Sequence, residues 1–153
     1  MYHSFEGYEE HQKAAYDAWI ISKLMPTFKS MSATSTDDTR RFLCIGPGPL
    51  PTIEHIVEYF DEFIMIEPNP LFICKWELQK WYKKCARLRK KVIVIPACIE
   101  SLALNTTHFY RSYLAANSVD AIVSTHVAYY FPNQYMSDIF SYLLSLLKRE
   151  RSI

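Results

Sequence analysis

The sequence predicts an α/β fold in which a parallel sheet of about four strands is flanked by helices on both faces. Four short apolar runs, Arg41–Ile45, Phe63–Ile66, Val92–Ile95 and Val119–Thr125, alternate with segments whose apolar residues recur at helical intervals. The first closes on glycine, the second on Glu67-Pro68 and the third on proline, the punctuation of buried parallel strands. The 153 residues are 50% hydrophobic and 22% charged, with 3 Gly and 8 Pro, a balance that excludes disorder as the main state. That length is one domain's worth, enough to bury a core without disulfides, and no internal repeat is visible.

The elements follow in order. From Tyr8 to Phe28, Tyr8, Ala15, Trp19, Ile20 and Leu24 keep helical intervals among charged residues, which predicts an amphipathic helix. Ser30–Thr39 is polar and rich in turn formers and reads as a connector. The first strand, Arg41–Ile45, stops at Gly46-Pro47-Gly48-Pro49; Ile53, Ile56, Val57 and Phe60 then form a helical stripe behind Pro51. The second strand, Phe63–Ile66, stops at Glu67-Pro68-Asn69-Pro70. Leu71, Cys74, Leu78, Trp81, Cys85 and Leu88 share one stripe of a crossover helix, with Lys75, Lys80, Lys83, Lys84 and Arg87 mostly facing water. Val92–Ile95, β-branched throughout, closes at Pro96. A weak helix around Tyr110, Tyr113 and Leu114 precedes the fourth strand, and Met136, Ile139, Phe140, Leu143 and Leu147 mark a strong final helix. The chain thus divides into a helical segment 1–30, a linker 31–40 and a sheet domain 41–153.

Composition excludes several functions. Seventeen basic against 16 acidic residues give a formal +1, too balanced for the field that non-specific nucleic-acid binding requires. The longest apolar runs fall far short of a membrane span, and Met1–Glu10 lacks a basic stretch followed by an apolar one, so a cytoplasmic protein without nucleic-acid or membrane partners is expected. Cys44, Cys74, Cys85 and Cys98 form no C-x-x-C pair, which points to reduced packing residues and no metal.

In an open parallel sheet, ligands collect at the carboxyl ends of the strands, beside the point where strand order reverses. Gly46 and Gly48 occupy the turn after the first strand, where the missing Cβ lets the backbone approach a ligand. Glu67, at the tip of the second strand, follows Gly46 by 21 residues, near the spacing of about 20 expected for a carboxylate that grips a ribose. The third glycine of G-x-G-x-x-G is replaced by Pro51, and the prolines at 47, 49 and 51 remove donors that a pyrophosphate needs. S-adenosylmethionine, with a ribose diol and a sulfonium but no pyrophosphate, suits such a loop. A structural turn beside a surface carboxylate, or an unrelated nucleotide-like ligand, remains the competing reading of these residues.

Glu10-His11-Gln12, Lys23-Leu24-Met25-Pro26, Ile45-Gly46-Pro47-Gly48, Ile66-Glu67-Pro68, Ser101 and Ala128-Tyr129-Tyr130-Phe131 together resemble the histamine N-methyltransferase family of class I S-adenosylmethionine-dependent enzymes over almost the whole chain. The resemblance implies a Rossmann-like class I methyltransferase fold, normally a sheet ordered 3-2-1-4-5-7-6, here truncated after about four strands. It implies that Gly46 and Glu67 meet the cofactor, with Glu67 on the ribose hydroxyls, and that Ser101 lies by the adenine. Thr125 stands where the family has an aliphatic cofactor contact. Glu10 on the helical cap matches a carboxylate that contacts the amine substrate, Tyr129 and Tyr130 match aromatic residues of the substrate pocket, and His126 stands where the family has a glutamine.

The implied activity is N-methylation of a small, histamine-like amine. No catalytic residue is expected, because in-line transfer of a methyl to a neutral nitrogen demands orientation rather than a general base. The chain reads as a fragment or short isoform of a complete enzyme; a catalytically inactive cofactor-binding relative and an interaction module are the alternatives. The fourth strand would be a sheet edge, giving a monomer or weak self-association through that edge. Taken alone, Glu10 also reads as a complement to the helix dipole, Tyr129 and Tyr130 as core aromatics, and His126 as a hydrogen-bonded structural residue.

Overall fold

A computed structural model describes residues 14–15, 17–33, 39–124 and 131–149. Its centre is a four-stranded parallel sheet of β1 (Arg41–Ile45), β2 (Glu62–Ile66), β3 (Lys91–Ile95) and β4 (Ala121–Ser124), in the order β3-β2-β1-β4. The last four residues of both β1 and β2 are buried, as continuous apolar runs in a doubly covered sheet must be. The chain steps outward from β1 to β2 to β3, then returns across the sheet to place β4 on the other side of β1. The order therefore reverses at β1, and the crevice above its carboxyl end is where a ligand is favoured in such sheets.

Alternation along the strands sends Phe42, Cys44, Phe63 and Met65 into one core and Leu43, Ile45, Ile64 and Ile66 into the other. The first core is covered by the N-terminal helix, by a 3-10 segment (Glu54–Tyr59) and by the connection from β2 to β3. Its centre is aromatic: Phe28 and Phe42 both pack against Phe60 with ring centroids 5.1 Å away. The second core is covered by the segments on either side of β4.

Several elements differ from the sequence reading, each for a local reason. The N-terminal helix continues as α1 (Met25–Ala33), so the connector expected from Ser30 starts later. Before it, Ile20–Leu24 is a π turn in which the Met25 N–H donates to the Ile20 carbonyl. Pro26 follows immediately, and a wider turn accommodates a residue with no N–H and a bulky ring. Ile20 and Phe28 form its buried side, while Trp19 is 43% exposed and Ala15 is exposed. The stripe Ile53, Ile56, Val57 and Phe60 is buried as expected, but over the short stretch before β2 it winds as 3-10 rather than α.

The crossover expected as one helix is three pieces: α2 (Pro70–Ile73), a 3-10 turn (Trp76–Leu78) and α3 (Lys80–Arg87). Gln79 is extended, with φ −88° and ψ 154°, and breaks the helical phase. Only Trp81 and Cys85 of the predicted stripe reach the core; Leu71 and Leu78 are 69% and 80% exposed, and Trp76 is buried in their place. After β3, α4 (Ile99–Leu104) had no clear signal in the sequence, and the weak helix downstream is a 3-10 turn, Phe109–Tyr113. In α5 (Met136–Leu146), Ile139 and Leu143 are buried as predicted, with Tyr142 and Leu146, but Phe140 is 46% exposed. Leu147 leaves the helix to bridge to Val119. Among the described residues, no helix is long and apolar enough to cross a membrane and no side-chain cluster could hold a metal ion.

Candidate binding site at the strand tips

Two tip loops meet above the sheet. The Gly46 N–H donates to the Ile66 carbonyl at 2.8 Å, extending the β1–β2 ladder by one bond, and the Glu67 N–H donates to the Ile95 carbonyl at 3.1 Å, doing the same toward β3. Past these bonds the chain turns. Gly46 and Gly48 take φ values of 62° and 73°, in the left-handed region that glycine enters without a Cβ penalty. Asn69 ends the second loop by capping α2: its side-chain oxygen accepts from the Leu71 N–H at 3.0 Å, with Pro70 behind it.

The Glu67 carboxylate lies between the two loops, 4% exposed and the only buried charged residue among those described. Oε1 accepts the Gly48 N–H and Oε2 the Asn69 N–H, each at 3.0 Å. A carboxylate offers about four acceptor positions, so among the described residues each oxygen keeps one. No basic side chain among the described residues pairs with it, which leaves its negative charge balanced only by backbone dipoles. A Cβ built on Gly48 would meet nothing within 4 Å, so the turn borders open space.

The loops have no backbone donor to spare. Across residues 46–49 and 67–70, positions 47, 49, 68 and 70 are prolines, and the N–H groups of Gly46, Gly48, Glu67 and Asn69 are all used within the protein. A phosphate or pyrophosphate placed here would meet an uncompensated carboxylate and no free amide. A neutral or cationic ligand with hydroxyl donors would find acceptors. Neighbouring thiols respond to the same environment: burial, reinforced by the charge of Glu67, pushes the Cys44 thiol up to about 12. Burial, then Glu100, then Glu67 also raise Cys98. Both remain protonated packing groups near neutral pH.

Of the residues singled out in the sequence, Gly46, Gly48 and Glu67 are brought together. Ser101 is exposed in the first turn of α4, after the third strand, with its N–H on the Cys98 carbonyl. Thr125, Glu10, His126, Tyr129 and Tyr130 lie outside the described residues. Sequence reasoning missed Trp76 and Gln79, whose side chains donate to the carbonyls of Gly48 at 2.9 Å and Pro49 at 2.6 Å. A signal existed: a proline-rich turn that cannot hold itself by backbone bonds needs side-chain partners, and a buried indole needs an acceptor.

No family model matches the sequence, and no curated protein matches it. Solved structures do match in fold. Over 95% of this chain, the plantazolicin methyltransferase BamL, solved with a triazolic desmethylPZN analog and SAH, superposes with a TM-score of 0.62 at 19% identity. The DszA carbon methyltransferase superposes over 88% with a TM-score of 0.63 at 14% identity. The chain spans 46% of the first structure and 33% of the second. Four parallel strands in the order β3-β2-β1-β4, covered by helical segments on both faces, thus place the chain in the Rossmann-like fold of these methyltransferases.

Proposed function

We propose that this chain binds S-adenosylmethionine at the Gly46–Gly48 turn and Glu67, and that it serves an S-adenosylmethionine-dependent methyl transfer. One observation carries the reading: a buried carboxylate with one free acceptor position on each oxygen, beside open space and between loops that offer an anion no donor. A ribose diol supplies two hydroxyl donors of matching number, and a sulfonium is favoured near an uncompensated negative charge. The fold shared with methyltransferase structures supports the same reading.

When bound, the cofactor supplies a methyl group on a positively charged sulfur, ready for in-line displacement. The protein's own part is binding and orientation. Glu67 accepts the ribose hydroxyls, its position held by the Gly48 and Asn69 amides. Gly48 leaves the space beside the turn open. Cys44, kept as a thiol, does not compete as a nucleophile.

The acceptor in this proposal is a small amine of histamine-like chemistry. Its support is the sequence resemblance at Glu10, which would hold an ammonium, and at Tyr129 and Tyr130, whose ring faces suit a cation. The test is calorimetric titration with S-adenosylmethionine at up to millimolar ligand, in parallel with a dinucleotide. Wild type binds the first and not the second. Glu67→Ala weakens binding about 100-fold, from two charge-assisted hydrogen bonds of about 1.5 kcal/mol each. No heat with S-adenosylmethionine, or tighter binding of the dinucleotide, would overturn the proposal.

A further inference from the structure

The Gly48–Pro49 turn is held from behind by side chains. Gly48 is gripped through both of its peptide bonds: its N–H, on the Pro47 side, donates to Glu67, and its carbonyl, on the Pro49 side, accepts the Trp76 indole N–H at 2.9 Å. The next carbonyl, that of Pro49, accepts from Gln79 Nε2 at 2.6 Å. Gln79 is itself fixed, because its Oε1 accepts the Trp81 indole N–H at 2.9 Å. Trp76 and Trp81 are 1% and 2% exposed and pack edge to face with centroids 5.8 Å apart, so the donors stand on a rigid base. The extended backbone at Gln79, which breaks the crossover helix, is also what separates these donors from a regular helical face.

We propose that Trp76 and Gln79 are positioning residues of the S-adenosylmethionine seat, acting through the Gly48–Pro49 turn to aim the Glu67 carboxylate at the ribose diol. The inference rests on the cofactor reading above. The prolines at 47 and 49 deprive the turn of backbone donors, and Gly48 has no side chain to brace it. Two side-chain donors from the β2–β3 crossover therefore fix the Gly48–Pro49 and Pro49–Leu50 peptides, and with them the backbone angles at Gly48. If those peptides rotate, the Gly48 backbone turns with them and carries its N–H off Oε1, and the carboxylate turns to find another donor instead of presenting free acceptor positions outward. Neither residue touches the ligand in this account; each sets a geometry that another residue uses.

The experiment compares adenosine with 2′,3′-dideoxyadenosine, alongside S-adenosylmethionine, in wild type, Gln79→Met and Trp76→Phe. Methionine keeps the length of glutamine without its donor, and phenylalanine keeps a buried ring without the indole N–H. Wild type prefers adenosine over the dideoxy compound. In each variant that preference falls about tenfold, a change of about 1.4 kcal/mol, while affinity for the dideoxy compound stays the same. Gly48 amide exchange in the ligand-free variants speeds up relative to that of Gly46. Two results overturn the inference: variants that keep the full diol preference, or variants that lose both ligands equally in step with melting temperature, the mark of a merely structural role. A wild type that binds neither adenosine nor S-adenosylmethionine overturns the cofactor reading itself, and the positioning role falls with it; a wild type that binds both, with unaffected variants, overturns the positioning role alone.

Discussion

The two ends of the same parallel strands handle charge in opposite ways. At the amino ends, each carboxylate has a cation or is crossed by one. Asp120 Oδ2 accepts from the Arg41 N–H at 2.7 Å and pairs with Lys148 at 2.9 Å, and Glu62 meets the Arg41 guanidinium at 2.6 Å. Asp61 accepts from the Arg40 N–H at 2.8 Å and lies 3.9 Å from Lys90. Lys148 also donates to the Thr39 carbonyl, tying the end of the described chain to the entry of β1. At the carboxyl ends, Glu67 is more deeply buried than any of these and has amides but no cation among the described residues. Charge at the amino ends is neutralised between neighbouring strands and serves to stitch them. Charge at the carboxyl ends has no cation among the described residues, and the proposed site rests on that asymmetry.

The largest expected effect sharpens the carboxyl end. The Cys44 thiol is held above its ordinary value of 9.0, at about 12, by burial and the charge of Glu67. A group whose value is raised on folding contributes stability that is complete below the unfolded value and is lost as pH rises through the folded one. Unfolding measured by denaturant from 9.0 upward toward about 12 should therefore show wild type losing up to about 1.4 kcal/mol per pH unit more than Cys44→Ala. Equal slopes for the two proteins would mean that Cys44 ionises as easily folded as unfolded.

Next comes the comparison itself. Asp120→Ala strands the Arg41 N–H, leaves the Lys148 ammonium with only the Thr39 carbonyl, and should cost about 2 kcal/mol of stability without touching ligand binding. Glu67→Gln is relieved of a buried charge but turns its NH2 onto the Gly48 or the Asn69 N–H, two opposing effects that should hold the change in stability below about 1 kcal/mol while abolishing the preference for a ribose diol. Chemical denaturation of both variants decides it: if Glu67→Gln is as destabilised as Asp120→Ala, the two ends do the same structural task and the contrast fails.

The smallest effect lies on the flank between the 3-10 segment and α3. Burial would raise the Glu58 carboxyl, but the hydrogen bond and charge of Lys84, 2.6 Å away, prevail and hold it below 4.5. A carboxyl lowered on folding contributes stability above its unfolded value, lost as pH falls through the folded one. The side chain is 51% exposed, so screening limits the contribution to about 0.5 kcal/mol. Stability measured below pH 4.5 should converge for wild type and Glu58→Gln, after a small difference at neutral pH; a gap that persists in acid would remove the ion pair from the account.

Much of this was legible in local patterns. Runs such as Phe63–Ile66 and Val92–Ile95 read as strands because proline follows within two residues, although the second is an edge strand in which only Ile95 is fully buried, and the glycines at 46 and 48 can be recognised because only glycine takes their left-handed turns readily. The crossover misled because Leu71, Leu78 and Trp81 share a helical period that the extended Gln79 interrupts. Phe140 misled because an apolar stripe can be wider than the face its neighbours cover.

The amino-acid sequence by itself determined the four strands, the residue types at their tips and the absence of amide donors where prolines stand, since each follows from the covalent identity of a residue and its immediate neighbours. Tertiary structure alone decided that Glu67 is buried between two loops with one acceptor position left on each oxygen, that Trp76 and Gln79 reach across to the Gly48–Pro49 turn, and that Asp120 pairs with Lys148. Save for the Asn69 amide on Glu67, these contacts join residues far apart along the chain, and a hydrogen bond depends on distance and direction in space, which no spacing in sequence records.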